Sequence, residues 1–278
     1  MIDISDNMAT TWQDLLNPGG ATDFFARRKF PPFDPDAAYE YSYINALWLA
    51  ELSRLIYRRD VEEIPFPPQP TRAGFLEKAG LIQRAFFASP KTDTQAMLVE
   101  PMAAPSFAIL VFRGTDSKRD YVTDLNSGIL PRDQNEAGVH KGFRKALDSV
   151  WDEIEKELSR LACPIFFTGH SLGAALAILA ASRYMPRAVY TFGSPRVGNE
   201  AFVASLQTLP IHRIVDSKDA AALLPPEALG FRHVGLLQLL AEPQTEVKES
   251  SFHALLKFFE KPPRLLADHA PVNYVDRI

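Results

Sequence analysis

The stretch FFTGHSLGAALA, from Phe166 to Ala177, decides the fold. Its apolar start reads as a buried strand, and its train of small residues reads as a helix. Between them lies Gly169-His170-Ser171-Leu172-Gly173, the pattern Gly-x-Ser-x-Gly. A buried strand that turns sharply into a helix holds the central serine in a strained conformation. The flanking positions then fall where strand and helix nearly touch, and only glycine fits there. Ala174, Ala175 and Ala177 extend this, because small residues let the helix approach the sheet. The serine hydroxyl is expected to emerge at the carboxyl edge of a sheet. His170 adjoins it, but neighbours at such a turn point apart, so His170 reads as a packing or hydrogen-bonding residue.

Working outward, RAFFAS (84–89), TQAMLVEP (94–101) and SFAILVF (106–112) are short, apolar and bounded by turn residues, as strands are. PIFFTG, RAVYTFG and HRIVDS follow the same rule. Helical spacing marks YINALWLAELSRLIYRR, from Tyr43, and one continuous amphipathic helix in the stretch from Val139 to Leu161. Strands that are apolar throughout and alternate with helices predict a mostly parallel sheet covered by helices on both faces. No linker splits the chain, so one α/β domain is expected over 43–278. Residues 1–42, rich in aromatics and proline, read as an irregular extension packed on it.

The bulk properties narrow the function. The 278 residues suit one large domain. Net charge is −4, which removes the basic surplus that nucleic acid would require. The longest apolar run, Leu172 to Ala181, falls short of the ~20 residues of a membrane span. Cys163 is the single cysteine, so no intrachain disulfide forms. The start of the chain does not read as a secretory signal, and with the lone cysteine this gives a cytoplasmic expectation, with leaderless secretion as the alternative.

A serine hydroxyl needs a base, and the base needs an acid to hold its tautomer. On this architecture the order is serine, acid, histidine. Asp216 closes a strand and Asp219 lies in the loop beyond it; the loop placement favours Asp219. His233 sits in an apolar strand-like run and His253 on a helix pattern. His269 sits in a loop between apolar segments, which favours it as the base. An oxyanion needs preorganised donors. The backbone N–H of Leu172 supplies one, and Thr115, in the loop after FAILVF, offers an N–H and a hydroxyl.

Together the motifs VFRGT (111–115), GHSLG (169–173), TFGSPRVGN (191–199), RIVDSKD (213–219) with LLPP (223–226), and DHAPVNYV (268–275) resemble the class 3 lipases, the fungal-lipase-like branch of the α/β-hydrolases. The resemblance runs from about residue 43 to 278. It implies an α/β-hydrolase fold with Ser171 as nucleophile, Asp219 as acid, His269 as base, and Thr115 with Leu172 as the oxyanion hole. It also implies a lid in the segment after Thr115, where Tyr121, Val122 and Leu125 fall on one helical face. Tyr121 stands where the family usually has tryptophan, and Ala221-Ala222 where it usually has valine and proline. The expected activity is ester hydrolysis, most simply of acylglycerols at a lipid–water interface. An esterase for short or aromatic, feruloyl-type esters uses the same groups, and a non-catalytic binding protein on this fold is a third reading. The chemistry calls for no metal or organic cofactor.

Overall fold

A computed structural model describes residues 11–58, 70–115, 136–216, 219–240 and 267–278. Seven strands form one sheet in sequence order: β1 (Leu81–Ser89), β2 (Thr94–Pro101), β3 (Ala108–Phe112), β4 (Ile165–His170), β5 (Ala188–Phe192), β6 (Ile211–Asp216) and β7 (Leu236–Leu240). The first three pair antiparallel, and β3 to β7 run parallel. Strands β3, β4 and β5 are buried along their whole length, as their uninterrupted apolar sequences require.

Two cores lie on opposite faces of the sheet. Leu98, Leu110, Phe112 and Phe167 pack with α4 (Lys141–Asp148), α5 (Trp151–Leu158) and α6 (Leu172–Ala181). The alternate residues Met97, Val99, Ile109, Val111 and Phe166 pack with α2 (Tyr43–Leu55), α3 (Arg72–Lys78) and the C-terminal α8 (Pro271–Arg277). Among the described residues, the remaining α-helices are α1 (Trp12–Leu16) and α7 (Glu200–Ser205). Period-2 alternation along β2, β3 and β4 therefore feeds both cores.

The single helix expected between Val139 and Leu161 is instead two. It breaks at Ser149 and Val150, where the Ser149 hydroxyl turns back to donate to Ala146 O at 2.7 Å. A serine side chain that competes for a helical carbonyl, followed by a β-branched residue, ends α4 at Asp148. His140 caps α4, accepting from Phe143 N at 3.3 Å.

The described part of the extension lies against this body. Phe24 is buried with its ring 5.0 Å from Phe75, and Phe33 sits 4.5 Å from Phe107 and 5.0 Å from Phe166. Trp48 of α2 donates from Nε1 to Pro31 O at 2.7 Å. The phenylalanines of FFARRKF are thus packing residues, and the charged members stay on the surface.

Candidate active site

The turn from β4 into α6 has the geometry that its glycines imply. Ser171 takes φ 60° and ψ −125°, a region that L-residues rarely occupy and that costs ~1–3 kcal/mol. A Cβ on Gly169 would sit 2.3 Å from the backbone of Gly173, and one on Gly173 would sit 2.2 Å from Phe112 O. Strand and helix therefore touch through bare backbone. The strained turn is held by Ser171 N donating to Phe192 O at 2.9 Å and by Ala174 N donating to Ser171 O at 3.0 Å.

Two further loops meet this turn at the carboxyl ends of the strands. Asp219 follows β6, and His269 lies in the turn before α8, which Asn273 braces by donating to Ala267 O at 2.6 Å. His269 Nδ1 lies 2.8 Å from Asp219 Oδ2 and 3.0 Å from Oδ1, and its Nε2 lies 3.0 Å from Ser171 Oγ. A carboxylate only accepts, so Nδ1 carries the proton and the Nε2 lone pair faces the serine hydroxyl. The Asp219 side chain is fully buried. Burial alone would raise its pKa, but His269, Tyr274 and His170 outweigh it and hold the carboxyl below its ordinary value. Asp219 Oδ1 also accepts from Ala221 N at 2.8 Å, which fixes the carboxylate in its loop.

Thr115 and Leu172 border the same turn. A Cβ on Gly114 would meet His170 O at 2.7 Å, so the β3 loop is wedged against the elbow just before Thr115. Leu172 opens α6, and both residues are half-buried. Tyr121, Val122, Leu125 and His253 lie outside the described residues.

The competing candidates have other partners. Asp216 is buried against Arg277. Burial, opposed by Arg277, pushes its pKa up to about 6. His233 bonds the backbone of Ala222, and burial with Arg213 and Arg196 nearby pushes its pKa down to about 3. His170 joins Tyr57 OH at Nδ1 (3.2 Å) and His269 O at Nε2 (2.8 Å). Nε2 therefore donates, and Nδ1 accepts from the tyrosine. Burial, then the neighbouring His269, pushes its pKa down to about 3. His170 is a neutral brace, not a base.

Two contributors escaped the sequence. Tyr274 donates from its hydroxyl to Asp219 Oδ2 at 2.6 Å, and the tyrosine oxygen itself accepts from Asp216 N at 3.3 Å. Gly193, at φ +58°, leaves space that a Cβ would take from Asp219 Oδ2, 2.6 Å away. The signal for Tyr274 was a hydroxyl amid the apolar residues of a helix that starts two residues after His269. Tyr274→Phe removes one charge-assisted donor from Asp219. It is expected to lower kcat roughly tenfold, or about 1.4 kcal/mol, with KM unchanged in assays on p-nitrophenyl butyrate. Undiminished kcat would show that Asp219 needs no donor beyond His269 and Ala221.

A mostly parallel sheet and a strained Gly-x-Ser-x-Gly turn after one of its central strands, with an aspartate and a histidine meeting that serine, are the marks of the α/β-hydrolase fold. The family model for lipase (class 3) matches residues 109–229. The chain is similar to the secreted mono- and diacylglycerol lipase 1 of Fusarium solani, 34% identical over 170 residues, 57% of this chain and 51% of that relative. It is similar to the lipase of Rhizomucor miehei, 35% identical over 166 residues, 51% of this chain and 44% of that one. The matches thus span about half the length of these relatives. Among solved structures, it resembles a triacylglycerol lipase whose catalytic centre is described as a serine protease triad, with TM-score 0.62 and 26% identity over 84% of this chain and 95% of that chain. The lipase of Rhizopus microsporus var. chinensis gives TM-score 0.59 and 26% identity over 81% and 84%. Residues 109–229 thus match the class 3 lipase model, and the chain shares the α/β-hydrolase fold of these lipases. The Fusarium solani relative is named as secreted, which stands against the cytoplasmic expectation. Among the described residues, no helix is long and apolar enough to cross a membrane.

Proposed function

We propose that the protein is a serine carboxylic-ester hydrolase, a lipase that cleaves acylglycerol esters through an acyl-enzyme on Ser171. The hydrolase unit is 43–278, with 1–42 as an extension on it. One observation carries the reading: His269 stands within hydrogen-bond reach of both Ser171 Oγ, at 3.0 Å, and Asp219, at 2.8 Å.

The chemistry follows from that arrangement. His269 Nε2 takes the Ser171 proton as Oγ attacks the ester carbonyl. Asp219, kept ionised, stabilises the imidazolium and holds its orientation. The negative charge on the tetrahedral oxygen falls to Leu172 N–H and to Thr115. His269 then protonates the leaving alcohol. Water, deprotonated by the same Nε2, releases the acid and restores the serine.

Thr115→Ala keeps the backbone N–H and removes only the hydroxyl. It is expected to cost ~10²–10³ in kcat, the usual effect of one lost oxyanion donor. KM should stay near its original value, because the bond strengthens only in the transition state. Steady-state kinetics on a soluble ester read both numbers, and an unaltered kcat would remove the hydroxyl from the oxyanion hole.

Substrate class is tested by a p-nitrophenyl ester series from acetate to palmitate, alongside emulsified triacylglycerol. A lipase keeps its activity on long chains and on the emulsion. Activity confined to acetate, or to feruloyl esters, would make the protein an esterase. Hydrolysis of none of these would overturn the reading.

A further inference from the structure

The C-terminal helix α8 touches the site a second time, one turn beyond Tyr274. Arg277 Nη1 donates to Asp216 Oδ2 and, at 3.0 Å, to Asp268 Oδ1. Asp216 ends β6, three positions before Asp219, and Asp268 directly precedes His269. One guanidinium therefore ties the segment that carries the acid to the segment that carries the base. The Asp216 and Asp268 side chains are 0% and 2% exposed, and that of Arg277 is 9% exposed.

This cluster is expensive as a device for stability. Two carboxylates share one cation away from water. Among the described residues, Asp216 Oδ1, Asp268 Oδ2 and Arg277 Nε are buried with no hydrogen-bond partner. Buried ion groups of this kind tend to be no better than apolar side chains for stability, so their use lies elsewhere. Around them stand His269 in its turn, Asp219 after β6 and Tyr274 on α8. The adjacent Asp276 is held from the extension by Arg27 at 2.7 and 2.5 Å and by Arg28, which donates to its carbonyl at 2.5 Å.

We infer that Arg277 is a positioning residue for ester hydrolysis, a clamp that keeps the Asp216–Asp219 and Asp268–His269 segments in register so that His269 meets Asp219. This rests on the Ser171-Asp219-His269 reading above. The clamp also sets how the site responds to pH. Burial already favours the protonated form of Asp216, and Arg277 opposes it. Without the guanidinium, alkaline pH leaves two buried carboxylates ionised beside Asp219 with no cation between them, and they push the segments apart. At acid pH one carboxyl keeps its proton and bonds to the other carboxylate, which holds the segments together.

The test is kcat and KM of Arg277→Met on p-nitrophenyl butyrate from pH 6 to 9, each taken relative to wild type at the same pH, with melting temperature measured in parallel. The expected loss is in kcat, about tenfold or more near pH 9 and smaller near pH 6, with KM unchanged. Arg277→Lys, which keeps the cation, should stay within about threefold of wild type at every pH. Adding Asp216→Asn to Arg277→Met restores the original net charge and should flatten the pH trend. A kcat ratio near one throughout, or a loss equal at every pH and unrelieved by Asp216→Asn, overturns the inference. If Arg277→Met does not fold, the charge-matched double variant decides. It is expected to fall at least about threefold in kcat for want of the tie, and wild-type kcat in it refutes the clamp. Ser171→Ala run beside these variants separates the two claims. An active Ser171→Ala sinks the triad reading itself, whereas an inactive one with full-speed Arg277→Met sinks only the clamp.

Discussion

Ser171→Ala is expected to lose ~10⁴–10⁶-fold in kcat, because members of such a constellation act as a unit and nothing else replaces the nucleophile. The residue at this position sits at φ 60°, so the turn and not the hydroxyl sets the backbone. Alanine accepts that conformation no worse than serine does, and Ser171 N keeps its bond to Phe192 O. Melting temperature should therefore stay close to wild type while hydrolysis of p-nitrophenyl butyrate disappears. A variant that keeps a tenth of the original rate would show that the ester is attacked by some other group.

The second large effect separates the two aspartates. Asp219→Asn keeps the shape of the side chain but offers an amide to His269, which favours the tautomer with the proton on Nε2. The base then presents a proton to Ser171 instead of a lone pair, and kcat should fall by about 10⁴. His269→Ala should be crippled to a similar degree. Asp216→Asn should be nearly normal, since an asparagine Oδ1 still accepts from Arg277 and so keeps the tie to Asp268. His253→Ala should also be nearly normal. The comparison is made with purified variants at one pH and saturating ester. A dead Asp216→Asn beside an active Asp219→Asn, or the same inversion between His253 and His269, would reverse the assignment.

The parts legible in the sequence are those where one local rule acts alone. The apolar strands β3 to β5 and the glycines of the elbow follow from burial and close approach, and both leave a pattern in a dozen residues. Asp219 and His269 are 50 positions apart, yet chain order and loop placement select them. Strand β7 left no such mark. Its sequence LLQLL is neither alternating nor buried, and Leu236, Leu237 and Leu239 are exposed at the edge of the sheet. The break between α4 and α5 turns on one serine hydroxyl finding a carbonyl, which helical periodicity does not register. Tyr274 and Arg277 act through distance in space. Their partners lie 55 and 61 positions away, and nothing in α8 itself names them. The same holds for His170, whose tautomer is set by Tyr57 on one side and the backbone of His269 on the other.

The central claim is that Ser171 carries the acyl group, and it is tested most directly with diethyl p-nitrophenyl phosphate. Attack by a serine Oγ forms a P–O bond and expels p-nitrophenolate, leaving a diethylphosphoryl ester that water removes slowly. Intact-mass analysis and peptide mapping should find one such group per chain, on the peptide that contains Ser171, with release of an equal amount of p-nitrophenolate and matching loss of activity. Labelling should vanish in Ser171→Ala. A label on another residue with the same loss of activity, or full inactivation of Ser171→Ala activity by the reagent, would contradict the account.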